Sequence, residues 1–166
     1  MRRLFSFPNP VNDAAARTVA TGVVLLAALT LGFESKVLLV VLCCGFWARV
    51  LTGPTLSPLG QFATRVAAPR LPGIAKMVPG PPKRFAQGIG AALSTAAVVC
   101  AFSVGWTPVV VLLAMLLVAA SLEAFLGVCL GCTIFGWLMR AGVIPAHVCE
   151  ECNNLAARYA AAAART

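Results

Sequence analysis

From Val109 to Met139 the chain carries a single charged residue, Glu123. A run this apolar has to be shielded from water along its whole length. As one helix it would extend ~46 Å at ~1.5 Å per residue, more than the ~30 Å hydrocarbon core of a bilayer requires. A bend or break near Gly127 or Gly131 is therefore expected, with Cys129 to Met139 folding along the inner face. The rest of the sequence agrees with a lipid environment: 60% of the 166 residues are hydrophobic and 11% charged, against ~25% charged in a typical soluble domain. A soluble domain of this size could not bury so much apolar surface. The expected architecture is all-α, a polytopic membrane protein of about four transmembrane helices in one domain, with a basic, proline-rich cytoplasmic connector.

The expected spans are 14–33, 36–52, 88–106 and 108–127, followed by a cytoplasmic cysteine-rich segment, 128–166. Asn12 or Asp13 can cap the first helix, because a short polar side chain satisfies backbone N–H groups left open at a helix start. Arg17 can snorkel to the surface. Glu34-Ser35-Lys36 makes a tight polar connection to the second run, Val37 to Leu51. Both runs are short for full crossings, so 14–52 could also form a re-entrant hairpin. The Arg2-Arg3 start resembles a twin-arginine signal, but polar and proline-rich residues follow it, so the first apolar segment is read as a retained helix.

Thr52 to Gln87 holds seven prolines, which exclude one continuous helix, and Arg65, Arg70, Lys76, Lys83 and Arg84 with no acidic residue. Leu59, Phe62, Ala63 and Val66 share one helical face, as in a segment lying on anionic headgroups. In the third span, Gly88, Ala92 and Ala96, and likewise Gly90 and Ser94, recur every four residues and permit close helix approach. Such faces would also suit a homo-oligomer. Trp106 belongs at an interface.

The formal net charge is +8. Basic patches bind nucleic acid, but this one lacks interleaved stacking aromatics. Its distribution fits the positive-inside rule better. Arg2, Arg3 and Arg17, the middle connector, and Arg140, Arg158 and Arg165 fall on one side, and only Lys36 on the other. The expectation is a multi-pass protein of the cell membrane with both termini cytoplasmic.

Seven cysteines are present. Cys43, Cys44 and Cys100 lie in apolar helices and read as small hydrophobes. Cys129-Leu-Gly-Cys132 and Cys149-Glu-Glu-Cys152 are two Cys-x-x-Cys pairs at a spacing compatible with a four-sulfur zinc site, with His147 as a possible substitute ligand. The mostly apolar segment between the pairs is unlike a zinc ribbon. The competing reading is redox: a Cys-x-x-Cys pair can hold a lowered thiol pKa and cycle between dithiol and disulfide. Glu150 and Glu151 would raise the thiol pKa of the second pair, so Cys129 and Cys132 are the better redox candidates. Glu123, an ionisable group in an apolar helix, calls for a partner or a cavity. Arg17 or Arg49 could pair with it, or it could handle a proton during thiol chemistry.

Phe7-Pro8-Asn9-Pro10-Val11-Asn12-Asp13 with Arg17, Pro79 to Gln87 with Gly90, and Gly127-Val-Cys129-Leu-Gly131-Cys132 together resemble the bacterial domain-of-unknown-function 4395 family. The resemblance covers nearly the whole chain. It implies a small integral membrane protein of unassigned activity, found alongside thioredoxin-like or sulfurtransferase proteins, and lends support to Cys129 and Cys132 alone. The leading expectation is a membrane-embedded thiol protein that exchanges electrons or sulfane sulfur with a cytoplasmic thioredoxin-like or rhodanese-like partner. The alternatives are a non-enzymatic membrane module with a structural zinc on Cys129, Cys132, Cys149 and Cys152, and a small sulfur-anion transporter.

Overall fold

The computed structural model describes residues 9–71 and 77–149. Helix α1 (Asp13–Phe33) is capped by Asn12, whose side chain accepts from the Ala14 N–H at 2.9 Å. It ends where Glu34 turns into the left-handed region, and Ser35 caps helix α2 (Lys36–Thr52). The connector folds as one helical stretch, α3 (Pro58–Phe62), a wide π turn (Ala63–Ala67) and α4 (Ala68–Arg70). The π turn lies where the Pro69 ring would otherwise meet the carbonyl four residues back. Ala63 and Ala68 are buried in the common core while Phe62 stays exposed, so the stretch packs on the bundle with one edge facing out.

Helix α5 (Gly80–Ser103) begins well before the expected Gly88. Pro81 and Pro82 occupy its first turn, where proline lacks no needed N–H and its fixed φ suits the helix. They were expected to interrupt a helix, and here they start one. Two short strands, β1 (Val11–Asn12) and β2 (Met77–Val78), pair antiparallel just ahead of α1 and α5 and bring the two helix starts together. The Asn9 side chain accepts from the Gly80 N–H at 2.8 Å.

Helix α6 (Thr107–Ser121) runs into a second π turn, Leu122–Leu126. The break expected near Gly127 or Gly131 falls at Gly127, which closes that turn with φ +69, a conformation glycine adopts without strain. Its Cα faces the Arg17 guanidinium, which fills the space a side chain would need. The chain restarts as helix α7 (Leu130–Arg140), packed on α5 with Phe135 edge-on to Phe85, centroids 5.6 Å apart. A 3-10 turn, Ala146–Cys149, follows.

Among the described residues, three helical segments, Asp13–Phe33, Gly80–Ser103 and Thr107–Leu126, are long and apolar enough to cross a membrane. Helix α2, at 17 residues, extends ~26 Å. The core between the helices is built of small residues: Ala27, Ala97 and Ser94 are fully buried, with Ala91 and Ala101 nearly so. Large side chains such as Leu25, Phe33, Val41, Phe102, Val111 and Met115 are exposed, as suits helices solvated by lipid tails rather than by water. Of the two small-residue stripes on α5, Gly90 and Ser94 form the contact. The Phe46 ring lies where a Gly90 side chain would be. Gly88, Ala92 and Ala96 do not: Ala92 and Ala96 are exposed and nothing approaches Gly88.

Candidate functional site

The helix starts that β1 and β2 draw together carry Asp13 and Lys83, and the α6 end carries Glu123. Lys83 is the centre of the site. Its Nζ donates to Asp13 Oδ1 at 3.2 Å and to Glu123 Oε1 at 2.7 Å, and the residue is 8% exposed. Arg17 Nε, one turn along α1, binds the other Asp13 oxygen at 3.0 Å. Two carboxylates and two cations thus neutralise one another in a site largely removed from solvent, which makes such a burial tolerable.

This corrects two expectations. Glu123 is paired with Lys83, not with Arg17 or Arg49, because the early start of α5 turns Lys83 inward while Arg17 is held by Asp13. Lys83 was counted among the basic residues of the connector, expected on the cytoplasmic side, yet it is buried in the bundle. Arg49 lies elsewhere, at the end of α2, with Nε donating to Gln87 Oε1 at 2.9 Å. Asp13, considered only as a helix cap, is a member of the ion-pair cluster.

Cys129 and Cys132 sit next to this cluster. Cys129 is the N-cap of α7, and its Sγ accepts the Cys132 N–H at 3.3 Å. A thiolate there receives a backbone donor and the positive end of the helix dipole. Both thiols are free. The Cys132 thiol hydrogen-bonds to Cys129 and lowers the Cys129 pKa, with the Lys83 ammonium acting in the same direction. Burial and the Glu123 carboxylate oppose it. Cys132, as the donor to Cys129, is pushed up, and its own burial adds to this. Of the two thiols, Cys129 is therefore the one that ionises more readily.

Cys129 is 9% exposed and is reached through cavities on two sides. One, of about 480 Å³, is lined by Cys129, Cys132, Asp13, Lys83, Gly127 and Phe135 among others. The other, of about 230 Å³, is lined by Cys129, Glu123, Gln87 and apolar side chains of α1, α5 and α6. Glu123 belongs to the π turn that ends α6, a distortion frequent at functional sites.

Cys149 is buried and disulfide-bonded, so in this structure it is not a thiolate ligand. Cys152, Glu150, Glu151, the side chain of His147, and Arg2, Arg3, Lys76, Arg158 and Arg165 lie outside the described residues. Among the described residues, no three His, Cys, Asp or Glu side chains converge on one point. Cys43 contacts the Thr95 hydroxyl at 3.5 Å within the α2–α5 contact.

Sequence reasoning missed Lys83 and Asp13 as site members. A signal existed: a carboxylate inside an apolar run demands a cation, and proline at the first positions of a helix marks its start three residues before Lys83.

Neither the curated proteins nor the solved structures contain a match to this chain. One family profile does match, over residues 11–140, a range that holds both helix starts, the ion-pair cluster and the Cys129–Cys132 pair. The chain belongs to the family described as domain of unknown function (DUF4395).

Proposed function

We propose that this protein is a membrane-embedded dithiol that exchanges electrons or sulfane sulfur with a cytoplasmic thioredoxin-like or rhodanese-like partner. The observation that carries this reading is the cap: the Cys129 sulfur accepts a backbone N–H at the start of α7, beside Lys83 and open to a cavity it shares with Cys132. Cys129 is the attacking thiolate and Cys132 the resolving thiol.

Toward a partner disulfide, Cys129 Sγ attacks one sulfur, and the partner's other sulfur leaves as a thiolate and takes up a proton. Cys132 then gives up its proton and attacks Cys129 Sγ, releasing the partner's first sulfur. The partner gains two electrons and two protons, and the Cys129–Cys132 pair becomes a disulfide. Toward a persulfide donor, Cys129 attacks the outer sulfur, displaces the donor thiolate and carries the sulfane sulfur itself. Glu123, bound to Lys83, is a carboxylate whose charge acts on both thiols, and it is the group assigned to receive the Cys132 proton.

The placement in the membrane follows from charge. The α1–α2 and α5–α6 connections lie at the end of the bundle away from the cysteines, and Lys36 is the one basic residue among the described residues there. Arg17, Arg49, Arg65, Arg70, Lys83, Arg84 and Arg140 belong to the cysteine end. With α2 as a fourth crossing, this end faces the cytoplasm of a cell membrane.

The test is mixed-disulfide trapping in whole cells. Cys132→Ser should accumulate a reducible adduct through Cys129, and Cys129→Ser should not. No adduct with either variant, under conditions where the wild type cycles between dithiol and disulfide, removes the proposal.

A further inference from the structure

Among the described residues, the ion-pair cluster leaves one buried cation, Arg49, out of balance. Arg49 is 5% exposed, and no carboxylate among the described residues lies within ion-pair distance of it. Asp13 and Glu123 are already matched by Arg17 and Lys83. Arg49 Nε is bound to Gln87 and Nη1 to the Ser57 hydroxyl at 3.5 Å, and the guanidinium stacks on Phe46 at 4.6 Å. Its Nη2 is buried with no hydrogen-bond partner among the described residues. A buried guanidinium without a counter-charge is costly, and an unsatisfied N–H on it adds to the cost.

Arg49 lines a cavity of about 70 Å³ between α1, α3 and α5, together with Gln87, Thr64, Gly60 and Lys83. Since the Gln87 oxygen accepts from Arg49, the Gln87 amide nitrogen is left as a second donor. Among the described residues the charged groups on this cavity are Arg49 and Lys83. Lys83 is held by Asp13 and Glu123, so Arg49 carries the uncompensated charge. The cavity's size admits one small polyatomic ion, given that a water needs ~10–15 Å³ of such volume.

We infer that Arg49 and Gln87 form a binding site for one oxyanion of the phosphate or sulfate type, distinct from the thiol pair. The guanidinium supplies charge and a directed N–H, and the amide supplies the second donor, which is how planar donor pairs recognise oxyanions. The ion arrives either free or as the phosphodiester of an anionic lipid, since Arg49 ends α2 close to the expected headgroup level.

The experiment uses the full chain in a maltoside detergent, which holds no phosphate, with gluconate as the bulk anion at constant ionic strength. Inorganic phosphate is titrated in one arm and phosphatidylglycerol in the other, and the melting temperature is read. Wild-type protein should show a saturable rise of several degrees, as expected for a ligand that binds only the folded state. Response to phosphate assigns a free ion; response to the lipid alone assigns a headgroup. Arg49→Met should abolish the response, and Gln87→Leu, which keeps the cation, should shift the half-saturating concentration upward at least tenfold. The Cys129→Ser and Cys132→Ser variants should respond as wild type does, which separates this site from the thiol proposal. No rise in either arm with wild type, or an undiminished rise with both Arg49→Met and Gln87→Leu, overturns it.

Discussion

The middle of the bundle and its cysteine end are held together by opposite means. In the middle, α2 and α5 meet through Phe46 over Gly90 and around Ser94 and Ala97, with no ion pair between them among the described residues. At the cysteine end, α1, α5 and α6 meet through Asp13, Lys83 and Glu123, an ion-pair chain in a site nearly closed to solvent. The middle gains from close backbone approach, which lipid cannot supply between helices. The other end accepts the desolvation of four charges, which packing alone would never require. What the difference teaches is that the charged end is arranged for something besides cohesion, and the thiol pair lies against it.

The comparison is broken most severely at Lys83. Lys83→Met leaves Asp13 and Glu123 facing each other with Arg17 as the remaining cation, and should cost about 3–5 kcal/mol in unfolding measured in detergent. Adding Asp13→Asn and Glu123→Gln should recover most of that loss. The thiols sharpen the same point. With its pKa lowered, Cys129 should alkylate at pH below ~8.5, the free-thiol value, and lose reactivity as pH falls through its own pKa, while Cys132 stays silent. Glu123→Gln removes a repulsive charge and should shift the Cys129 profile to lower pH. In stability the two cysteines oppose each other above ~8.5: the lowered Cys129 contributes there and the raised Cys132 subtracts. Alkylation monitored by mass spectrometry is therefore the decisive readout.

Next comes the middle of the bundle. Gly90→Leu drives a side chain into the Phe46 ring and should cost about 1–3 kcal/mol by overpacking. It also fills part of a cavity that reaches Cys129, so it should slow alkylation without moving its pH midpoint. Gly127→Ala, at φ +69 against the Arg17 guanidinium, should cost about 1–2 kcal/mol and, unlike Gly90→Leu, should move that midpoint, because Gly127 sets the start of α7. The smallest effect is expected at Ala92, on the outward stripe. Ala92→Leu should fall within about 0.5 kcal/mol of wild type, and a larger loss on melting would show that this face is covered.

Much of the molecule was legible in the chain. The helical, membrane-type architecture followed from apolar run lengths. A cap at Asn12 or Asp13 and a break near Gly127 or Gly131 were legible as pairs of alternatives, of which the structure takes Asn12 and Gly127. The Gly90–Ser94 contact was legible as a possibility, though periodicity alone could not rank it above Gly88–Ala92–Ala96, since the two stripes differ only in which neighbour each faces. The partner of Glu123 was not legible. Arg17 and Arg49 were the expected candidates and Lys83 was not among them, because the outcome depended on where α5 begins, which two prolines obscured by reading as breakers when they act as starters.

By itself, then, the sequence determined the helices and their rough limits, because run length and hydropathy are local properties that lipid or a core must satisfy. It also determined that Cys129 and Cys132 stand three residues apart, a spacing open to redox or metal chemistry, while their place at a helix start and the backbone donor to Cys129 came from the structure. Tertiary structure alone decided that Lys83 joins Asp13 to Glu123 and that Arg49 is left with Gln87 and an unpartnered nitrogen. Ion pairing is settled by which buried charges come within about 4 Å of one another. That distance depends on three helices meeting at once, and no single stretch of the chain encodes it.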